Sequence, residues 1–147
     1  MSFALDANVL LYASDEASDV HREARAFLEA CARGAEAFYL PWPALMTYLR
    51  VITHPVAVQR PLAPEAAVAN ITSLLSVPHV HAISEEPGFW DVYRSLSQGL
   101  AVRGNLVPDA HIAAILRQHG IRRIYTRDRD FRKFDFLEVK DPFLPKR

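Results

Sequence analysis

The stretch Phe3-Ala4-Leu5-Asp6-Ala7-Asn8-Val9-Leu10-Leu11-Tyr12 opens as an apolar run that predicts a short buried strand, with Asp6 where the strand should end. An unpaired carboxylate is costly to bury. At the carboxyl end of a central strand, however, it faces the crevice in which open α/β sheets bind ligands. Two interpretations follow. Asp6 is the first of several acids that converge on a metal, or Asp6 or Asn8 simply caps the next helix, as Asp and Asn commonly do.

The composition is that of a globular protein. The chain has 147 residues, about the size of one domain, of which 50% are hydrophobic and 23% charged. The formal net charge is zero, so a nucleic-acid partner would have to be held by a local basic patch. Cys31 is the only cysteine, which excludes an internal disulfide and a multi-cysteine zinc site. We find neither a secretory signal nor a membrane-spanning run, and we expect residues 1–147 to form a single cytoplasmic domain with no membrane contact.

The spacing of apolar residues and helix breakers predicts alternating helices and strands. Helices are expected over 20–33 and 108–119, and others open near Trp42, Pro64 and Ser84. Strands are expected over 38–40, 80–83, 124–126 and 137–139, with a loop or short helical turn over 128–133. The helix from Trp42 should bury Trp42, Leu45, Met46, Leu49 and Ile52, and the helix from Pro64 should bury Val68, Ile71, Leu74 and Leu75. This alternation is typical of an α/β fold with a mostly parallel central sheet that is covered on both faces.

Acidic residues follow two of the predicted strands and open one helix. Asp6 ends the first strand, Asp109 lies in the first turn of the helix over 108–119, and Asp128 and Asp130 follow the strand over 124–126. In a parallel sheet these positions fall on one rim, where the carboxylates would repel one another or require a cation. Oxygen-only ligation suits Mg²⁺ or Mn²⁺. Taken singly, Asp109 could only favour the helix dipole, and Asp128 and Asp130 could be solvated loop residues.

Four blocks of sequence together resemble a known family. The blocks that resemble the motifs of PIN domains are Leu5-Asp6-Ala7-Asn8-Val9-Leu10, the stretch from Trp42 to Pro55, Pro108-Asp109-Ala110-His111-Ile112-Ala113-Ala114 and Thr126-Arg127-Asp128-Arg129-Asp130-Phe131. Their order and spacing resemble the VapC toxins of type II toxin–antitoxin pairs, over about 3–142. The resemblance implies an α/β/α sandwich and a Mg²⁺- or Mn²⁺-dependent endoribonuclease that acts as the toxin of such a pair.

The resemblance also implies roles for individual residues. Asp6, Asp109 and Asp128 match the catalytic acids that surround the metal, and Asp130 matches an additional acid of the last block. Asn8 and Thr126 match polar residues that support this cluster.

The second block departs from the family pattern at one position. Many PIN domains carry a glutamate three residues before the arginine of that block, which is Arg50 here, and this chain has Thr47 instead. Threonine cannot supply a negative ligand. The site therefore binds metal more weakly, uses Asp130 in compensation, or has lost catalysis. The last outcome would leave a PIN-like module that binds RNA or an antitoxin without turnover.

Basic and aromatic residues are the candidates for contacts with partners. Basic side chains cluster around the last acidic block, namely Arg122, Arg123, Arg127, Arg129, Arg132 and Lys133. Arg127, Arg129 and Arg50 are our candidates for binding RNA phosphates, and the alternative is a solvated charged surface. The resemblance implies a homodimer and a VapB-like antitoxin. Most of Phe27, Phe89, Trp90 and Tyr93 should be core residues, but some could form the dimer surface or an antitoxin groove.

A phosphotransfer domain of the response-regulator kind is a rival interpretation of the acidic rim. Such domains pair acids early in the chain and carry a lysine after a late strand. The first lysine of this chain is Lys133, which makes this interpretation the weaker one.

Overall fold

The structure, a computed structural model, describes residues 2–143. Their helices and strands are, in chain order, β1 (Phe3–Leu5), α1 (Ala7–Ser14), α2 (His21–Arg33), β2 (Phe38–Pro41), α3 (Trp42–Ile52), α4 (Pro64–Leu75), β3 (Val80–Ile83), α5 (Phe89–Ser97), α6 (Leu106–Gln118), β4 (Arg123–Tyr125), a 3₁₀ helix (Arg129–Lys133) and β5 (Glu138–Lys140). Within this described part, no helix is both long and apolar enough to cross a membrane.

The five strands form one parallel sheet in the order β3-β2-β1-β4-β5. Ala4 of β1 lies opposite Tyr39 of β2 and Ile124 of β4, so β1 is the central strand. The chain adds β2 and β3 on one side of β1 and then adds β4 and β5 on the other side. The direction of strand order therefore reverses between β1 and β4, and their carboxyl ends form the topological switch point of the sheet. The predicted α/β fold with a mostly parallel sheet is confirmed. The order differs from 2-1-3-4-5, the order of response regulators, which argues against the phosphotransfer interpretation.

Helices cover both faces of the sheet, and the strand residues alternate between the two layers. Phe3, Leu5 and Leu40 pack into one core with apolar residues of α1, α2, α3 and α4. Ala4 and Ile124 point the other way, into a second core with α5, α6 and the residues after the 3₁₀ helix. Because both faces are buried at the centre of the sheet, β1 and β2 are apolar at every position, whereas the edge strands β3 and β5 carry the exposed residues His81 and Glu138.

Three apolar residues that the sequence assigns to buried helix faces are exposed instead. Trp42 and Met46 of α3 are 40% and 49% exposed, and Val68 of α4 is 52% exposed. The buried residues of these helices are Ala44, Leu45, Tyr48 and Ile52 in α3 and Ala67 and Ile71 in α4. Helical spacing identifies the residues that share a face, but the packing partners decide which part of a wide apolar stripe is covered. Trp90 is also exposed, at 64%, whereas Phe27, Phe89 and Tyr93 pack against the cores.

Most predicted elements have the expected position with small shifts at their ends, but α5 begins at Phe89, five residues after Ser84. The helix α6 begins at Leu106, two residues before the predicted start, so that Pro108 lies within its first turn. Proline is tolerated there because the first N–H groups of a helix have no intrahelical acceptor. The strands β4 and β5 are displaced by one residue from 124–126 and 137–139, and the predicted helical turn after β4 is the 3₁₀ helix.

Candidate metal centre

Three carboxylates converge where the sequence predicts an acidic rim. Each of Asp109, Asp128 and Asp130 places one oxygen within 4.8 Å of the others, and all three side chains are half buried. Asp109 lies in the first turn of α6, whereas Asp128 caps the 3₁₀ helix and its Oδ1 accepts a hydrogen bond of 2.9 Å from the backbone N–H of Asp130. The turn after β4 thus presents two acids to the start of α6.

Asp6 lies behind this trio at the carboxyl end of β1. The residue is 8% exposed, and both of its carboxylate oxygens are hydrogen bonded. Oδ1 accepts from the N–H of Ala7 at 2.8 Å, which makes Asp6 the N-cap of α1. Oδ2 accepts from the hydroxyl of Thr126, also at 2.8 Å. The capping interpretation of Asp6 is therefore confirmed for one oxygen, whereas its role as a metal ligand stays a prediction, because the other oxygen is bonded to Thr126.

The hydroxyl of Thr126 joins three segments of the site. It donates its proton to Asp6 and accepts hydrogen bonds of 3.0 Å from Asn8 Nδ2 and from the N–H of Asp128. Since its only proton is given to Asp6, Asn8 must present its NH₂ group to Thr126. The amide oxygen of Asn8 is then turned away, buried, and without a hydrogen-bond partner among residues 2–143. Thr126 thus contacts Asp6 and Asp128 directly, and Asn8 is joined to them through Thr126.

The electrostatics of the site reflect crowded negative charge. Burial, followed by repulsion from Asp128 and Asp6, a hydrogen bond with Asp128 and repulsion from Asp130, raises the pKa of Asp109 to about 7. Burial also raises the pKa of Asp6, although the hydrogen bonds from Thr126 and Ala7 oppose this shift. Lys133 Nζ lies 3.4 Å from Asp130 Oδ1 and compensates part of the charge. A bound cation would relieve this repulsion between the carboxylates.

The donor set fits a hard divalent cation. Every candidate ligand offers oxygen, as Mg²⁺ and Mn²⁺ prefer. Ligand oxygens on opposite sides of Mg²⁺ are about 4.2 Å apart, so the three carboxylates, within 4.8 Å of one another, need only small rotations to share an ion. The unpaired Asn8 Oδ1 is an acceptor available to a water of the ion's hydration shell.

The basic residues that the sequence groups together are divided in the structure. Arg123 opens β4, at the end of the strand away from the acids, and pairs with Glu138 at 3.1 Å. Arg127 lies 3.8 Å from Asp141 and packs against two aromatic rings. Arg129 and Arg50 are exposed, and neither has an ion-pair partner within the described residues. Arg123 and Arg127 are thus paired with acids outside the centre, whereas Arg50 and Arg129 stay exposed, because successive residues of the strand and loop point in different directions.

Two further residues help to define the limits of the site. Thr47 lies half buried on α3, and its side chain forms no hydrogen bond within residues 2–143. His111, two residues after Asp109, is hydrogen bonded to Glu85 and lies outside the group of acids.

Sequence analysis overlooked Tyr12, which packs against Arg127 beside the site. Its position four residues after Asn8, on the same face of α1, was the available signal.

Comparison with known proteins agrees with this geometry. The PIN domain family model matches residues 3–137. The chain is 48% identical to ribonuclease VapC48 of Mycobacterium tuberculosis over 143 residues, which cover 97% of this chain and 99% of that protein. It is 30% identical to ribonuclease VapC37 of the same organism over 138 residues, covering 94% and 95% of the two chains.

Solved structures show the same fold at lower sequence identity. The crystal structure of VapC20 of Mycobacterium tuberculosis, a toxin that cleaves the sarcin–ricin loop, matches with a TM-score of 0.68 and 19% identity, covering 95% of this chain and 99% of that one. VapBC2 of Rickettsia felis, bound to a DNA fragment from its promoter, matches with a TM-score of 0.67 and 18% identity, covering 95% and 98%. With its parallel sheet, its acidic rim and these relatives, the chain belongs to the PIN-domain family, in its VapC group.

Proposed function

We propose that this chain is the toxin of a VapBC-type toxin–antitoxin pair and that it cuts RNA as a divalent-metal-dependent endoribonuclease. The convergence of Asp109, Asp128 and Asp130 at the switch point of the sheet carries this proposal. The relatives that are 48% and 30% identical are ribonucleases, which supports RNA as the substrate. The reaction would take place in the cytoplasm, where cellular RNA is accessible.

The acids have different roles in this proposal. Asp109, Asp128 and Asp130 would hold Mg²⁺ or Mn²⁺ directly, and Asp6 would join them through its remaining lone pairs or through a water. When bound, such an ion lowers the pKa of a water and stabilises the negative charge that develops on a phosphodiester under attack. Asp6, Asp109 and Asp128 are the proposed catalytic residues, and Asp130 assists in holding the ion.

The other residues of the chain orient this centre and its substrate. Thr126 keeps Asp6 and the backbone of Asp128 in fixed positions. Asn8 Oδ1, which is buried without a partner among residues 2–143, would accept a hydrogen bond from a water of the ion. Arg50 and Arg129, which are exposed, would bind phosphates of the RNA strand. Such contacts weaken steeply as the salt concentration rises.

A groove between α1, α2, α3 and α4 supports an antitoxin partner. It has a volume of about 540 Å³, and its apolar lining includes Leu10, Leu28 and Leu74. A groove of this kind suits the apolar side chains of an amphipathic segment, which we assign to a VapB-like antitoxin.

Exposed apolar residues support a homodimer. Trp42 and Met46 on α3 and Trp90 on α5 are exposed, and large apolar side chains on a surface often mark a protein interface. Sedimentation of the purified chain would test this, since a monomer at micromolar concentration would contradict the dimer. We also propose that residues 1–147 form one PIN domain, because the sheet draws its strands from Phe3 to Lys140.

The decisive experiment is cleavage of total RNA by the purified chain with Mn²⁺. We expect discrete cuts that disappear in EDTA and in the Asp109→Asn variant. Asp91→Asn is the matched control, because Asp91 is an exposed acid of α5 whose only ion pair within residues 2–143 is a surface pair with Arg94. Discrete cuts that persist in Asp109→Asn, with Asp91→Asn equally active, would contradict the proposed site.

Thr47 favours a second candidate, a PIN-like module that binds RNA or an antitoxin without turnover. An acid is missing where many PIN domains have one, so that the metal site has fewer negative ligands. This candidate predicts that RNA is retained on the protein but is not cut in either Mg²⁺ or Mn²⁺. Turnover that depends on Asp109 would exclude it.

A further inference from the structure

An arginine and two aromatic rings form a cluster beside the acidic centre. The guanidinium carbon of Arg127 lies 5.9 Å from the ring centre of Tyr12 and 5.8 Å from that of Phe143. The two rings contact each other edge to face, with their centres 5.9 Å apart. Asp141 orients the group: its Oδ2 lies 3.8 Å from Arg127 Nε, and its Oδ1 accepts a hydrogen bond of 2.9 Å from the N–H of Phe143. We call Tyr12, Arg127 and Phe143 the ring cluster.

The ring cluster lies one helical turn from Asn8, which is hydrogen bonded to Thr126 next to the acidic centre. Tyr12 follows Asn8 by four residues on α1, so their side chains are neighbours on the same helix face, separated by about one turn of 5.4 Å. Asn8 contacts Thr126, and Tyr12 contacts the next residue of the chain, Arg127. Asp128, a member of the acidic centre, comes directly after Arg127. An RNA strand whose phosphate lies at the acids would thus have a neighbouring nucleotide within reach of the ring cluster.

Part of the ring cluster is exposed and can contact a ligand. The side chain of Arg127 is 41% exposed, and both rings are only half buried. Within residues 2–143 the only ion pair of Arg127 is the one with Asp141, which is longer than a direct hydrogen bond. Since Arg127 is held in place before a ligand arrives, little side-chain entropy is lost when one binds.

We propose that the ring cluster is a stacking platform for a nucleobase that neighbours the cleaved phosphodiester. Unpaired bases of RNA stack on aromatic rings and on arginine guanidinium planes, and this contact tolerates any base. The proposal rests on the proposed ribonuclease function and adds a base contact to it. Alternatively, the ring cluster is a structural brace that fixes the segment around Asp141 and Phe143 to α1. The experiment below distinguishes a stacking platform from a brace.

Binding of single-stranded RNA tests the platform. All proteins would carry Asp109→Asn so that no strand is cut, and the probes would be a fluorescent 12-nucleotide oligoadenylate and an abasic ribose-phosphate strand of equal length, both in Mg²⁺. We expect the parent to prefer the oligoadenylate. Tyr12→Leu and Phe143→Leu should each reduce that preference about fivefold or more, whereas Tyr12→Phe, which keeps the ring, should retain it.

The control comes from another arginine–ring pair. Arg117 lies 5.7 Å from the ring centre of Phe136, close to the start of β5. Phe136→Leu removes a comparable ring and should leave the preference for the oligoadenylate unchanged. If Tyr12→Leu weakens the binding of both strands equally, or of neither, while the protein unfolds more easily, the cluster is a brace and the proposal is wrong.

Kinetics in the active chain provide a second readout and separate the two proposals. For Tyr12→Leu we expect KM for a short RNA substrate to rise about fivefold or more, with kcat little changed, because the ring contacts a neighbouring nucleotide and not the reacting atoms. Asp109-dependent cleavage with no change of KM in Tyr12→Leu would overturn the platform and leave the ribonuclease intact. Base preference without any cleavage would retain the platform and overturn the ribonuclease.

Discussion

Thr126 Oγ1 donates a hydrogen bond of 2.8 Å to Asp6 Oδ2, although the two residues are 120 positions apart in the chain. The bond joins the ends of β1 and β4, the two strands on either side of the switch point. Because Thr126 also accepts from Asn8 and from the N–H of Asp128, one hydroxyl fixes the first and last acidic blocks relative to each other.

Thr126→Val tests this hydroxyl. Valine keeps the shape but leaves Asp6 Oδ2, Asn8 Nδ2 and the N–H of Asp128 without their partner. We expect a loss of about 1–3 kcal/mol in the free energy of unfolding, because buried polar groups become unsatisfied, together with weaker Mn²⁺ binding. Urea unfolding and titration calorimetry would measure both. Thr126→Ser keeps the hydroxyl and should remain close to the parent protein, and equal losses in the two variants would contradict this assignment.

Asp6→Asn separates the capping role of Asp6 from its role at the metal. The asparagine oxygen can still accept from the N–H of Ala7, so α1 should keep its cap. The lost charge and the misplaced NH₂ group facing Thr126 should reduce RNA cleavage by about 10- to 100-fold. Circular dichroism and a cleavage assay would measure the two effects. Asp6→Ala should in addition lose about 1 kcal/mol of stability, and an active Asp6→Asn enzyme would remove Asp6 from the site.

The stability of the metal-free protein should depend on pH through Asp109. Its pKa is raised to about 7 in the folded protein from an ordinary value of 3.8. Between these values the folded state binds more protons than the unfolded state, so stability should fall as the pH rises from about 4 to 7 and change little above that. The raised pKa of Asp6 acts in the same direction.

Thermal unfolding of dialysed, metal-free protein at several pH values would measure this dependence. Mn²⁺ at neutral pH should restore stability, because the cation binds the ionised carboxylates of the native state. In the Asp109→Asn variant, the loss of stability between about pH 4 and 7 should be smaller. A decline of unchanged size in this variant would show that Asp109 is not the group responsible.

Thr47→Glu should tighten Mn²⁺ binding. The variant restores the acid that many PIN domains carry at this position, and an added carboxylate ligand should lower the dissociation constant by about tenfold, equivalent to about 1.4 kcal/mol. Titration calorimetry would measure the change, with Thr47→Gln as a control of similar size and no charge. Equal or weaker binding in Thr47→Glu would mean that α3 does not bring this position to the metal.

The amino-acid sequence alone determined the order of the elements, the parallel sheet and the rim on which the acids meet. These features follow from local chemistry. Apolar runs that end at glycine or proline define strands and helices. An acid at the end of a strand is costly to bury unpaired, so it faces the rim of the sheet where ligands bind. Four motif blocks in order also indicated the PIN family, to which the chain belongs.

Only the tertiary structure decided how the polar residues divide their contacts. Asp109, Asp128 and Asp130 share one space, whereas Asp6 has both oxygens hydrogen bonded behind them. Arg127, which looks in the sequence like one of several equivalent basic residues, packs against both Tyr12 and Phe143. Side-chain direction and distant partners settle such contacts, and neither can be read from spacing along the chain, because each partner comes from a segment that only the fold brings near.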